Sequence, residues 1–196
     1  MAKSKIFTDK QSLGKVISGI KENASLVAKT YGYTGHDVCI KYNGRNYISN
    51  DGVTVSNNII FEDELKDLGS SLVRNITLNS DLVSNDGTTA SAILSKAIIE
   101  ELEKYLLIPR YRKKITNWLD VKAGMQDAVN EVVKLLTANK KNIKIKEKDL
   151  YNVAYTATRD ETLSKILCSV FLKIGKDGRV LFKEQEGNSI DVEYKN

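Results

Sequence analysis

Apolar residues recur at helical spacing along most of this chain, and that periodicity limits the fold more than any other feature. Leu13, Val16, Ile17, Ile20, Ala24 and Val27 predict a helix from about Thr8 to Lys29. Leu65, Leu68, Leu72 and Ile76 mark a second helix, entered through Glu62-Asp63-Glu64. Ala90, Ile93, Leu94, Ala97, Ile98 and Leu102 mark a third, and Val121, Met125, Ala128, Val129, Val132 and Leu136 a fourth. Each stripe is expected to pack into a core. Residues 38–42 and 46–49 flank Asn43-Gly44-Arg45, a hairpin signal in which Asn-Gly supplies the positive-φ turn positions. After Leu136 the pattern stops in a polar, lysine-rich stretch, which predicts a domain boundary near residue 139. Beyond it, residues 148–154 predict a short helix. Leu163, Ile166, Leu167, Val170, Phe171 and Ile174 predict another, with Asp160-Glu161-Thr162 at its start. Two strand-like runs follow, 179–183 and 189–194, around Glu186-Gly187-Asn188.

Composition narrows the chemistry. At 196 residues the chain can bury one core, or one core and a small second unit. Cys39 and Cys168 are the only cysteines, too few and too distant for a disulfide framework, and they point to a reduced, cytoplasmic chain. His36 is the only histidine, which argues against catalytic triads and His-ligated metals. Any metal is expected to be a hard, oxygen-bound ion such as Mg²⁺. The start carries no apolar leader, and no apolar run reaches membrane length. A net charge of +5, concentrated in Arg110-Tyr111-Arg112-Lys113-Lys114 and in residues 140–148, raises nucleic acid as a partner. No groove-reading motif accompanies that charge, so nucleic acid is not the expected partner.

The residues most suited to chemistry are Asp86-Gly87-Thr88-Thr89-Ala90-Ser91-Ala92, placed where the third helix begins. A carboxylate able to hold Mg²⁺, a glycine that admits a ligand to the backbone, and two hydroxyls meet the free N–H groups and dipole of a helix end. That combination suits nucleotide phosphate. The plain alternative is a turn and a helix cap. Upstream lie two more glycine-containing turns, Thr30-Tyr31-Gly32-Tyr33-Thr34-Gly35 and Asn50-Asp51-Gly52-Val53-Thr54-Val55. These also have plain readings, Gly32 as a left-handed helix cap and Asp51-Gly52 as a turn.

Taken together, in this order and at these separations, the three motifs resemble the N-terminal part of a group I chaperonin subunit. That family carries a T-L-G-P-K-G turn, a K-D-G-V-[ST]-V segment and D-G-T-T-T opening a helix. The resemblance continues through residues 117–124, Asp160-Glu161-Thr162 and 173–178, with a short insertion near Pro109 to Lys114. It implies a mainly α fold with small β elements: an equatorial helical bundle at 1–139 and an α/β intermediate segment at 140–196, with the apical domain absent. It also implies an ATP/ADP and Mg²⁺ site. Gly87, Thr88, Thr89 and Ala90 would face the phosphates, and Asp86 would hold the metal. Thr30, Tyr31 and Gly32 would approach from the opposite side, and Asp51 would help place the attacking water.

The departures from the family pattern fall in the same motifs. Tyr33 stands where the family has proline, Asn50 where it has lysine, Ala90 where it has a third threonine, and His36-Asp37 where it has Arg-Asn. Lost cationic and hydroxyl contacts predict weakened nucleotide binding. The resemblance places the remaining pocket residues in a C-terminal half with no counterpart in these residues, so negligible hydrolysis is expected of residues 1–196 alone. The expected partners are other chaperonin subunits in a ring, with unfolded clients and a co-chaperonin only if further domains are supplied. The expected function is ATP-dependent protein folding as a subunit or fragment; the alternative is a structural or regulatory relative without turnover.

Overall fold

Asp9 begins the first helix by accepting a hydrogen bond from the Ser12 backbone N–H at 2.8 Å, and α1 then runs Lys10–Val27. The computed structural model describes residues 9–42, 44–115, 117–140, 146–175, 178–183 and 190–194. A short 3₁₀ turn, Ala28–Thr30, extends α1. Strands β1 (Val38–Tyr42) and β2 (Arg45–Ser49) form an antiparallel hairpin in which Tyr42 pairs with Arg45, so Arg45 belongs to the strand rather than the turn. Gly44 takes φ 74°, the positive value expected of this turn. Helices α2 (Gly52–Asn57), α3 (Glu64–Ser84), α4 (Thr88–Leu107) and α5 (Pro109–Arg112) follow, with Pro109 opening the basic insertion as a helix start. Then come α6 (Trp118–Asn139), α7 (Glu147–Thr158) and α8 (Glu161–Ile174).

Two compact units result, residues 1–125 and 126–196. The division falls inside α6, whereas the expected boundary lies at that helix's end. Within the first unit α1 packs against α3 and α4, and α2 against α3. The core gathers Ile20, Ala24 and Val27 of α1 with Ile40, Val55, Val73 and Ala92. Small residues let the α1 and α3 backbones touch. A Cβ on Gly19 would strike the Lys66 carbonyl, and one on Gly69 would strike the Val16 carbonyl. In the second unit α7 packs on α8, and Cys168 of α8 is buried with its thiol toward the Glu147 carbonyl at 3.3 Å.

Three expectations from periodicity require correction. On α3 the buried face is Gly69, Ser70, Val73 and Thr77, while Leu68, Leu72 and Ile76 are exposed. On α4 it is Thr88 and Ala92, with Leu94 and Ile98 exposed. On α3 the close approach to α1 at Gly69 and Val16 admits small and hydroxyl side chains at the crossing. α6 buries no residue at all, and Val129, Val132 and Leu136 are each more than half exposed. The strand-like runs are also not strands. Among the described residues, 178–183 and 190–194 form no ladder, in keeping with the marginal stability of a lone two-stranded ribbon. The turn expected at 186–188 lies outside the described residues.

Charge pairs flank the α1–α3 crossing: Lys15 with Asp63 at 2.7 Å, Lys66 with Glu22 at 2.7 Å, and Arg74 with Asp67 at 3.0 Å within α3. The hydrogen bonds from Lys66, Lys15 and Arg74 hold the Glu22, Asp63 and Asp67 carboxyls, respectively, below their ordinary values. Carboxyls depressed in this way stabilise the fold above the unfolded-state value, and that contribution is lost as pH falls through the folded value. Chemical denaturation should therefore show stability level from neutral pH down to about pH 5 and falling below about pH 4, with a shallower fall in Asp67→Asn. A second expectation concerns the crossing. Gly69→Ala should lower unfolding free energy by about 1–3 kcal/mol, the usual cost of overpacking.

Candidate functional site

The turn between α3 and α4 is built to hold a helix end open. α3 closes on Asn85 with φ 50°, and Gly87 follows with φ 75°, a conformation that side chains resist. The hydroxyls of Ser80 and Ser84 both donate to the Asp86 carbonyl at 2.9 Å and fix the loop from beneath. The Asp86 carboxylate is exposed and accepts the Gly87 N–H at 2.6 Å. Among the described residues no side chain caps α4, whose first internal bond runs from the Ser91 N–H to the Gly87 carbonyl at 2.8 Å. The N–H groups of Thr88, Thr89 and Ala90 are therefore the unfilled donors of this helix end.

The other two motifs meet this end directly. Thr30 and Thr89 hydroxyls lie 3.3 Å apart, and Thr30 Oγ1 also donates to the Val27 carbonyl at 2.8 Å. Gly52 lies against both threonines of the third motif. A Cβ there would collide with Thr89 Oγ1 and sit 2.8 Å from Thr88 Oγ1 and from the Thr89 nitrogen. Glycine at 52 thus lets the start of α2 pack directly on the start of α4. Thr30, Gly52, Thr88 and Thr89, one or two from each motif, meet in one cluster.

Neighbouring residues complete the edge. Gly32 has φ 72°, and the turn it opens is closed by the Gly35 N–H on the Gly32 carbonyl at 3.1 Å and by the His36 N–H on the Lys29 carbonyl at 2.8 Å. Gly32 makes the left-handed turn after α1 and its 3₁₀ extension, and Thr30 lies beside Thr89 of the third motif. Tyr31, between them, is exposed. Asp51 proves to be the N-cap of α2, accepting from the Thr54 N–H at 2.9 Å and the Thr54 hydroxyl at 2.6 Å. Its carboxylate is exposed and adjoins Gly52 in the chain.

Gly52 is the site residue that the expected set omits. The D-G-V pattern signals it only as a turn glycine, and its real constraint is the distance to α4. α2 itself is equally hidden, because Val53-Thr54-Val55 has strand propensity and the helix exists through the Asp51 cap and burial of Val55 and Ser56. As to metal, no group of three His, Cys, Asp or Glu side chains is gathered among the described residues. A bound Mg²⁺ would take most of its oxygens from phosphate and water, as this ion commonly does.

A profile of the TCP-1/cpn60 chaperonin family matches residues 24–194. The chain belongs to this family. The mitochondrial heat shock protein 60 of Saccharomyces cerevisiae is 31% identical over 170 residues, which are 86% of this chain and 29% of that protein. Heat shock protein 60 of Ajellomyces capsulatus, also mitochondrial by name, is 31% identical over 179 residues, 91% of this chain and 29% of that one. The chain therefore spans less than a third of the length of these relatives. Among solved structures, chaperonin gp146 from the bacteriophage EL 2 (Pseudomonas aeruginosa) superposes with a TM-score of 0.69 at 24% identity, over 84% of this chain and 28% of that one. A group III chaperonin in the open state gives 0.64 at 26% identity, over 83% and 32%. The mainly helical fold with its small hairpin is thus the chaperonin fold of this segment. No described helix is long and apolar enough to cross a membrane.

Gly52→Ala should test the convergence. If Gly52 is needed for this close approach, the alanine forces α2 away from Thr88 and Thr89, costs about 1–3 kcal/mol of stability, and speeds amide exchange at Val55, whose N–H bonds the Asp51 carbonyl at 2.9 Å.

Proposed function

We propose that this chain forms the phosphate-facing part of an ATP or ADP site in a chaperonin subunit. In this reading it assembles with other chaperonin subunits in ATP-dependent protein folding. The observation that carries this reading is the meeting of three separate motifs at one uncapped helix end. A glycine turn could start a helix by itself, but such a turn needs neither Gly52 nor Thr30. A second crystal form of gp146, 25% identical with a TM-score of 0.67, was crystallised in the presence of ATP-BeFx, which supports nucleotide as the anion here.

The residues have separate tasks in this reading. Thr88, Thr89 and Ala90 N–H groups and the Thr88 and Thr89 hydroxyls receive phosphate oxygens, aided by the helix dipole. Gly87 keeps the loop free of a side chain, and Asp86 supplies one carboxylate oxygen to Mg²⁺. Thr30 and Gly32 close the other side, with Tyr31 exposed beside them. Bound ATP and Mg²⁺ supply the phosphoanhydride bond and the neutralising charge. Asp51 is placed to orient water next to Gly52, yet its carboxylate already serves two bonds to Thr54. Both bonds fall on Oδ2, which leaves Oδ1 to take that water in this reading. A cytoplasmic location belongs to this proposal, and unfolded clients and a co-chaperonin belong to it only where further domains are supplied.

Calorimetry with Mg-ADP and Mg-ATP tests it. Asp86→Ala should abolish Mg²⁺-dependent binding, and binding equal to the parent would reduce the motif to a turn. Asp51→Asn keeps a good cap while removing the charge, so it should leave binding and stability near the parent and remove residual hydrolysis. Asp51→Ala should lose the cap as well, at about 0.5–2 kcal/mol of stability.

A further inference from the structure

Two features of the fold make α2 depend on residues far from the phosphate-facing surface. α2 is six residues long, too short to persist on its own propensity. Its first residue nevertheless has to rest on Thr88 and Thr89, and its cap is Asp51. What holds its other end is a buried polar cluster. Asn23 of α1, Ser56 of α2 and Ser70 of α3 are all fully buried. The Asn23 amide donates to Ser70 Oγ at 2.7 Å and to the Ser56 carbonyl at 3.3 Å, and its oxygen accepts the Ser56 hydroxyl at 3.0 Å. Ser70 Oγ in turn donates to the Ile59 carbonyl at 3.0 Å, which Arg74 also contacts at 2.6 Å.

Every polar group in this cluster is used, and its geometry admits one arrangement. Turning the Asn23 amide over would set its oxygen against the Ser56 carbonyl and leave Ser70 without that donor. No buried side-chain nitrogen or oxygen among the described residues lacks a partner. In a low-dielectric interior such a cluster fixes position, because moving one member strands the others. The cluster reaches the exit of α2, Ser56 and Ile59, while the Asp51 cap and the Gly52 contact lie at its entry. A helix of six residues carries a displacement at one end to the other, about 9 Å away.

We infer that Asn23, through Ser56 and Ser70, is a positioning residue for the candidate nucleotide site: it sets where α2 lies and so holds Asp51 and Gly52 against the start of α4. It touches no ligand. The inference rests on the nucleotide reading above for its effect on binding, and on the geometry alone for its effect on α2.

Hydrogen exchange and calorimetry on the full chain separate these two parts. Asn23→Ala and Ser56→Ala are compared with Ile17→Val, a trimming of a buried α1 residue outside the central cluster. Exchange is read at the amides of Val55 and Asn58, which bond the Asp51 and Val55 carbonyls at 2.9 and 3.2 Å. Both cluster variants should speed exchange there at least tenfold relative to α3 amides, and should weaken Mg-ADP binding at least fivefold. Ile17→Val should do neither. Exchange at Val55 and Asn58 that rises no more in Asn23→Ala than in Ile17→Val would overturn the inference. So would unchanged Mg-ADP affinity in a variant whose α2 has loosened. If the parent binds no Mg-ADP, the nucleotide reading fails and the role of Asn23 toward a site fails with it, while the exchange arm still decides whether the cluster holds α2.

Discussion

The first unit depends on the backbone contact between α1 and α3, where Gly19 meets Lys66 and Gly69 meets Val16. Helices carrying larger residues at these positions would stand farther apart. Only at this spacing does Asn23 reach both Ser56 and Ser70, and only then is α2 held. α2 in turn brings Gly52 to Thr88 and Thr89. The route from a helix crossing to the candidate site therefore passes through Gly19 and Gly69, one amide and two serines, and ends at Gly52. The exposed Leu68, Leu72 and Ile76 of α3 and Leu94 and Ile98 of α4 have no place in it.

Electrostatics reinforces that crossing rather than creating it. Asp63 caps α3 by accepting from the Leu65 and Lys66 N–H groups and also receives Lys15 of α1. Lys66 reaches back to Glu22. These are partly exposed pairs, each worth little by itself, but they span the two helices on either side of the glycine contacts. Arg74 is less exposed and more useful. It joins Asp67 to the Ile59 carbonyl and thereby ties the segment after α2 to α3.

Much apolar surface remains outside these contacts. Leu82 and Val83 near the end of α3, Leu135 and Leu136 of α6, and Leu181 and Phe182 in the second unit are all well exposed. Exposed apolar faces of this extent are where proteins meet partners, and they belong to a chain matching under a third of each relative's length. The second unit is held chiefly by α7 on α8 and by the buried side chains of Ser164, Cys168 and Val170.

The sequence by itself determined the long helices, the hairpin and the family, because these rest on local rules: a 3.6-residue period, an Asn-Gly turn, acidic helix entries at residues 62–64 and 160–161, and three motifs at family spacing. It placed Thr30, Gly87, Thr88 and Thr89 in one expected site, and the fold brings Thr30 beside Thr89. The inside face was legible for α1, whose Ile17, Ile20, Ala24 and Val27 are buried, but not for α3, α4 or α6. Periodicity assigns burial to the largest apolar residues, as it does for Leu68, Leu72 and Ile98, whereas the packed helices bury Gly69, Ser70 and Ala92 instead. The strand expectation at 179–183 failed for a related reason, since a strand needs a partner that alternation of side chains does not supply. Gly52 and Asn23 were hidden for the same cause. Neither has a local signature, and their roles are distances to residues more than thirty positions away, which only the packed tertiary structure decides.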